Sequence, residues 1–435
     1  MKKILLFVMV GLLAGGLCRA QIPVGTWSGA LDIQGVSLTL VFNFSEDACT
    51  LDVPDQGAKG LKASASLTAL GAVHVDVPSI GASFEGYRFG DKINGSFTQN
   101  GMSLPLTLKP GAQERKRPQT PQPPFPYATE AVSFTNGDAV LKGTLTLPEG
   151  CTKDTPVLLM VTGSGLQDRD ETLFEHKPFA VIADFLARRG IATLRYDDRG
   201  FGESTGDLMR VTTEDLKEDA AAGIVLLRDR FSNVGVIGHS EGGTIALMLA
   251  AEKKADFIVS LAGMAVSGRE TLLWQNREGL LQAGLDEKTV NVYCKALEDT
   301  FDAATDGLPL PSPGNYDLPA ALKQNLQQVQ AQLGLPYLRH FVKLDVSKLL
   351  GTISCPVLAL NGTKDTQVDC VSNLGALERG LPKSGKNKVQ ALEGLNHLFQ
   401  HCTTGQAAEY PQTEETFSPE ALTLIADWLK SLFPA

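Results

Sequence analysis

The sequence predicts an α/β fold, a doubly wound and mostly parallel sheet carrying an inserted helical cap, preceded by a small all-β domain. Three observations predict it. Short apolar runs alternate with helical stretches from 157 to 261 and again from 357 to 432, the pattern of parallel strands joined by crossover helices. Between those blocks, from about 264 to 344, the text is amphipathic and helical throughout, which marks an insertion. Residues 21 to about 110 instead hold short alternating runs broken by Gly, Asn, Asp and Ser clusters, as antiparallel β-structure requires.

The first element, residues 1–20, opens with Lys2-Lys3, continues as an apolar run from Ile4 to Leu17 and ends in Cys18-Arg19-Ala20. It is expected to be an export leader cleaved to leave Gln21 first, placing the protein in a bacterial periplasm or outside the cell. Cys18 raises lipid anchoring as an alternative, but Leu17 is larger than acylated-cysteine signals usually carry. The other cysteines, Cys49, Cys151, Cys294, Cys355, Cys370 and Cys402, lack metal-site or redox spacing. Only Cys370 and Cys402 are weighed as a disulfide, on the expectation that their loops converge. With 49 Asp+Glu against 39 Lys+Arg and no basic cluster that would neutralise phosphates, nucleic acid is not an expected partner. No stretch after the leader reaches the apolar length of a membrane span.

The β-domain, 21–110, is read as a barrel or sandwich. Its runs include Leu38–Phe44, Val73–Val77 and Leu104–Leu108, with Asn94-Gly95 and Asn100-Gly101 as hairpin turns. Its opening, Gly25-Thr26-Trp27-Ser28-Gly29, resembles the start of small lipocalin-like β-domains. His74 alternates with Val73 and Val75 and is expected to face solvent. Residues 111–126, with Arg115-Lys116-Arg117 and a proline-rich tail, read as a semi-rigid linker. From 127 onward, a hairpin around Thr135-Asn136-Gly137-Asp138 leads into strands at Val157–Val161, Ala192–Tyr196, Val234–Ile237 and Phe257–Leu261, separated by helices. After the cap, strands Val357–Leu360 and Lys388–Leu392 and a helix Pro419–Leu432 close the domain.

At the centre stands Gly238-His239-Ser240-Glu241-Gly242, between an apolar strand and a small-residue helix expected from Thr244. Strand, sharp turn and helix expose a serine hydroxyl, and the flanking glycines leave room for the strained turn. A serine is a weak nucleophile until a base removes its proton, and the base needs a carboxylate to orient it. In this architecture they follow in the order serine, acid, histidine. Asp365 lies in a tight loop after a buried strand; Asp369 competes but reads better as a helix N-cap. His397 lies just past the last strand, with His401 as alternative. His239 is expected to point away from Ser240, and His176 to border the pocket. The loop Gly163-Ser164-Gly165 lets backbone N–H groups turn inward. Ser164 and Glu241 are therefore the expected oxyanion donors.

These strings, with Gly163–Glu171, Arg195–Ser204, Asn361–Asp365 and Asn396-His397, resemble the α/β-hydrolase superfamily in its exported esterase and serine-aminopeptidase-like branch over 130–435. The resemblance implies Ser240 as nucleophile, Asp365 as orienting acid, His397 as base, and Arg195, Asp197 and Arg199 as a structural ion-pair turn. The expected function is a serine carboxylesterase cleaving short acyl groups from a small-molecule ester, with no metal and no organic cofactor. The first alternative is a peptidase of the same fold, for which Glu270, Trp274 and Glu278 are candidate amine-binding residues. The second is a non-catalytic glycan- or ligand-binding protein.

Overall fold

The computed structural model describes residues 24–434, apart from 34–35, 46–47, 57, 69–70, 100, 112–115 and 208–209. The expected leader, its Gln21 cleavage point, Asn100 and the first part of the linker lie outside the described residues. Contacts divide the chain into two units, 1–114 and 115–435.

The first unit is a closed antiparallel barrel of eight strands in chain order: β1 Gly25–Ile33, β2 Val36–Phe44, β3 Cys49–Val53, β4 Ala58–Leu67, β5 Ala72–Val77, β6 Ala82–Phe89, β7 Lys92–Gln99 and β8 Met102–Pro110. Alternation along each strand sends one set of side chains inward, where Trp27, Phe42, Phe84 and Leu108 are buried together. Val73, Val75 and Val77 point in, whereas His74 points out and bonds Asp76 at 2.9 Å. At Gly95 a Cβ would meet the Glu85 carbonyl at 2.1 Å, so the β6–β7 ribbon closes only with glycine there.

The second unit is built on a sheet ordered β16-β15-β14-β13-β11-β12-β10-β9. Its strands are β9 Ala128–Asn136, β10 Ala139–Leu147, β11 Val157–Val161, β12 Ala192–Tyr196, β13 Val234–His239, β14 Ile258–Leu261, β15 Val357–Gly362 and β16 Lys388–Leu392. β9 and β10 form the antiparallel entry, and β11 to β16 run parallel. Every residue of β11, β13, β14 and β15 is buried, because helices cover both faces. One face packs on α2 Thr213–Arg228, α3 Glu241–Ala251 and α8 Cys370–Gly380 through residues such as Leu159, Ile224, Ile245 and Leu377. The other packs on α1 Pro178–Ala187 and α9 Pro419–Leu432 through Met160, Ile182, Ile425 and Leu429.

The cap consists of α4 Gly268–Gln282, α5 Glu287–Asp306, α6 Ala320–Leu333 and α7 Pro336–Lys343. It has its own core, including Tyr293, Leu297, Phe301 and Leu326. Glu270 completes a capping box with Ser267 at the start of α4. Of the basic residues 115–117, Arg117 donates to the carbonyls of Phe174, Pro411 and Thr413. Gln119 bonds the backbone of Thr416 and Phe417.

Two expectations, one about a helix start and one about a disulfide, are corrected by the structure. α3 begins at Glu241 rather than Thr244, since the turn at Ser240 delivers the chain straight into helical geometry despite Gly242-Gly243. Cys370 and Cys402 are both free thiols, Cys370 Sγ facing the Asn361 carbonyl and Cys402 Sγ donating to the Gly394 carbonyl at 3.4 Å. Among the described residues, no helix is long and apolar enough to cross a membrane.

Candidate active site

The central strand β13 ends at His239, and the chain turns into α3 through Ser240 at φ 54° and ψ −118°. That left-handed φ is costly for a residue with a side chain. Two close approaches enforce it. A Cβ on Gly238 would lie 2.0 Å from the Gly242 carbonyl oxygen, and one on Gly242 would lie 2.0 Å from that of Val161. The Ser240 amide donates to the Leu261 carbonyl at 2.8 Å, tying the turn to β14.

Asp365 follows β15. Its Oδ1 accepts from the N–H groups of Gln367 (2.7 Å) and Val368 (2.9 Å), leaving Oδ2 to accept from His397 Nδ1 at 2.7 Å. Both side chains are almost wholly buried. A proton on Nδ1 leaves Nε2 as the lone-pair nitrogen, the form a general base needs. The loop carrying His397 is braced by Asn396, whose Oδ1 accepts from the amides of Leu398 and Gln400. Asp369 caps α8 by accepting from Val371 and Ser372, while His401 is half exposed and paired with Glu415. The competitors are thus occupied elsewhere.

Ser240 and His397 line one cavity of about 440 Å³. The loop after β11 passes over Ser240 so closely that a Cβ on Gly163 would come within 3.2 Å of the serine Cβ. Gly163 has already given its N–H to Glu171 Oε1 at 2.7 Å, so Ser164 supplies the next amide along the loop. Glu241 is the first residue of α3, and its amide has no carbonyl one turn back to satisfy it. The positive end of the α3 dipole lies at the same point.

Sequence reasoning missed four participants. His239 does not turn away from the site: it borders the cavity, its ring 4.7 Å from that of His397. Burial opposes its charged form, but Glu171, the His397 carbonyl and Asp365 outweigh burial and hold it above the usual histidine value. Glu171 itself is buried in the cavity wall. Tyr337 of α7 reaches down from the cap and donates to Glu241 Oε2 at 2.5 Å, while Thr213 donates to Oε1 at 2.6 Å. Burial, then the neighbouring Glu241 carboxylate, pushes this phenol well up. Asp198 accepts from Thr162 Oγ1 and the Gln167 amide on either side of the Gly163–Leu166 loop; burial raises its carboxyl to about 8. The sequence strings containing Glu171 and Asp198 were visible, but nothing local marked Tyr337.

His176 borders the cavity as expected, bonded to Thr416 and the Tyr410 carbonyl. Trp274 and Glu278 do not line it; the cap contributes Leu272, Gln275, Tyr337, Leu338 and Phe341 instead. Asp197 pairs with Arg169 at 2.6 Å, Arg195 with Asp170 and Arg199 with Asp219, a salt-bridged turn behind the site.

A family model described as X-Pro dipeptidyl-peptidase (S15 family) matches residues 136–386. Esterase EstD of Thermotoga maritima is 32% identical over 194 residues, which cover 43% of this chain and 47% of the esterase. The chain therefore spans about half the length of that curated relative. Among solved structures, an esterase of Pyrococcus furiosus is 17% identical with a TM-score of 0.42, covering 70% of this chain and 93% of its own. A proline iminopeptidase of Mycobacterium smegmatis is 17% identical with a TM-score of 0.44, covering 69% of this chain and 98% of its own.

Proposed function

The chain belongs to the X-Pro dipeptidyl-peptidase (S15) family of the α/β-hydrolase clan, and on that premise we propose that it is a serine carboxylesterase cleaving short-chain, acetyl-type esters. The observation that carries the reading is the 2.7 Å bond from His397 to Asp365, with the imidazole sharing one cavity with a serine held at φ 54°. In the reaction, His397 Nε2 takes the Ser240 hydroxyl proton as Oγ attacks the ester carbonyl. The amides of Ser164 and Glu241 bind the oxygen that becomes negative. The tetrahedral intermediate collapses, His397 returns the proton to the leaving alcohol, and an acyl-enzyme remains on Ser240. Water, deprotonated by the same nitrogen, then releases the acid. Asp365 holds the imidazole in the required tautomer and stabilises its cation.

A short acyl group is favoured by a cavity of about 440 Å³, towards the lower end of the usual range for small-molecule sites, walled on the cap side by Leu272, Leu338 and Phe341. The esterase relative supports ester chemistry. The exported location expected from residues 1–20 belongs to the same proposal. Ser240→Ala is expected to abolish hydrolysis of p-nitrophenyl acetate and labelling by a fluorophosphonate; a retained rate would sink the assignment. The family description favours a second reading, cleavage of X-Pro peptides. Parallel assays on acyl esters and X-Pro amides separate the two, and faster turnover of the amide would replace the esterase reading.

A further inference from the structure

Two loops and the end of β13 meet at a buried pair that the proposed reaction leaves unused. Glu171 ends the oxyanion loop, and His239 immediately precedes Ser240; they are 5% and 6% exposed. Glu171 Oε1 accepts the Gly163 N–H at 2.7 Å and faces His239 Nδ1 at 3.0 Å. The other ring nitrogen, Nε2, faces the backbone carbonyl of His397 at 2.9 Å.

A carbonyl oxygen can only accept. A neutral imidazole carries one N–H, so giving it to the His397 carbonyl would leave the bare Nδ1 lone pair against a carboxylate oxygen already engaged as an acceptor. Both contacts are hydrogen bonds when both nitrogens carry hydrogen. The surroundings agree: Glu171 faces the ring from the oxyanion loop, Asp365 adds negative charge from the loop after β15, and Phe399 packs edge-on against the His239 ring. Glu171 itself sits at φ 53°, a left-handed conformation that such bonds must hold in place.

We propose that Glu171 and His239 form a positioning dyad, a carboxylate and an imidazolium whose three hydrogen bonds keep the oxyanion loop, the His397 loop and the nucleophile strand in one register. Fixing the Gly163 N–H fixes the start of the loop from which the Ser164 amide is presented. Bonding the His397 carbonyl sets the backbone from which the base projects. The inference rests on the roles of Ser240 and His397 proposed above.

The test is ring ¹⁵N NMR of the full chain, with His239 assigned by its loss in His239→Gln. Both His239 nitrogens are expected to be protonated across about pH 6 to 8, a range through which an ordinary histidine becomes neutral. Glu171→Gln is expected to leave one N–H, lower kcat on p-nitrophenyl acetate at least about tenfold, and hold KM within about threefold, because a misaligned oxyanion donor acts on the transition state. A wild-type spectrum in which the assigned His239 carries one protonated nitrogen overturns the dyad, whether or not Glu171→Gln folds. So does a folded Glu171→Gln protein with kcat within about twofold of wild type. Activity surviving Ser240→Ala would remove the nucleophile assignment instead, and the spectrum would still decide the state of His239.

Discussion

Replacing Asp365 with Asn is expected to slow the catalytic step by about 10³- to 10⁴-fold while leaving the fold intact. The side chain keeps its shape, and its oxygen can still accept from the amides of Gln367 and Val368. That fixed oxygen forces the new NH₂ group into the position of Oδ2, 2.7 Å from His397 Nδ1. A donor there turns Nδ1 into an acceptor and moves the ring proton to Nε2, which can then no longer take a proton from Ser240. The imidazolium formed during reaction also loses its counter-charge. A 10⁴-fold loss corresponds to about 5.5 kcal/mol of transition-state stabilisation. The assay is kcat and KM on p-nitrophenyl acetate beside thermal unfolding, with Asp369→Asn in parallel. Asp369 only caps α8, so its variant should lose about 0.5–2 kcal/mol of stability at most and keep its kcat. A folded Asp365→Asn enzyme within tenfold of wild type, or a larger kcat loss in Asp369→Asn, would refute the reasoning.

Three further outcomes follow from the same geometry. Gly238→Ala places a methyl group 2.0 Å from the Gly242 carbonyl oxygen and should cost about 3 kcal/mol or more, read as a lower Tm with loss of fluorophosphonate labelling. Tyr337→Phe removes a hydrogen bond to a buried carboxylate and loosens the cap over Glu241; we expect a loss of about 1.5–3 kcal/mol and a KM that rises more than kcat falls, measured by denaturation and steady-state kinetics. Burial lifts Asp198 to about 8, so between the ordinary carboxylate range and that value the native state holds a proton that the unfolded chain has released. Its contribution therefore declines as pH rises through this window, by up to about 1.4 kcal/mol per pH unit, and the stability of wild type relative to Asp198→Asn should fall from pH 5 to pH 8 in urea titrations.

The sheet was legible because burial on both faces leaves no polar alternation to obscure it: Val157–Val161 and Val357–Leu360 are continuous apolar runs, and both are strands. The start of α3 was not, because Gly242 and Gly243 are poor helix formers whose presence is dictated by Val161 and by the packing of Gly263. Local propensity and tertiary contact point in opposite directions there, and the contact wins.

The same distinction separates the parts of the site. Ser240, Asp365 and His397 each sit where a short strand gives way to a loop, a signal confined to a few residues, and the last two are joined by a hydrogen bond. His239 was misread because its bonds reach across 68 residues to Glu171 and 158 residues to the His397 carbonyl. Tyr337 meets Glu241 across 96 residues, from a cap helix that the sequence marks only as amphipathic. Such contacts depend on how the cap docks onto the sheet, which no local period encodes. The residues that would generate the nucleophile are thus written in local motifs, whereas those that hold it in register, and the cap side chains that would choose its substrate, arise only from the packed fold.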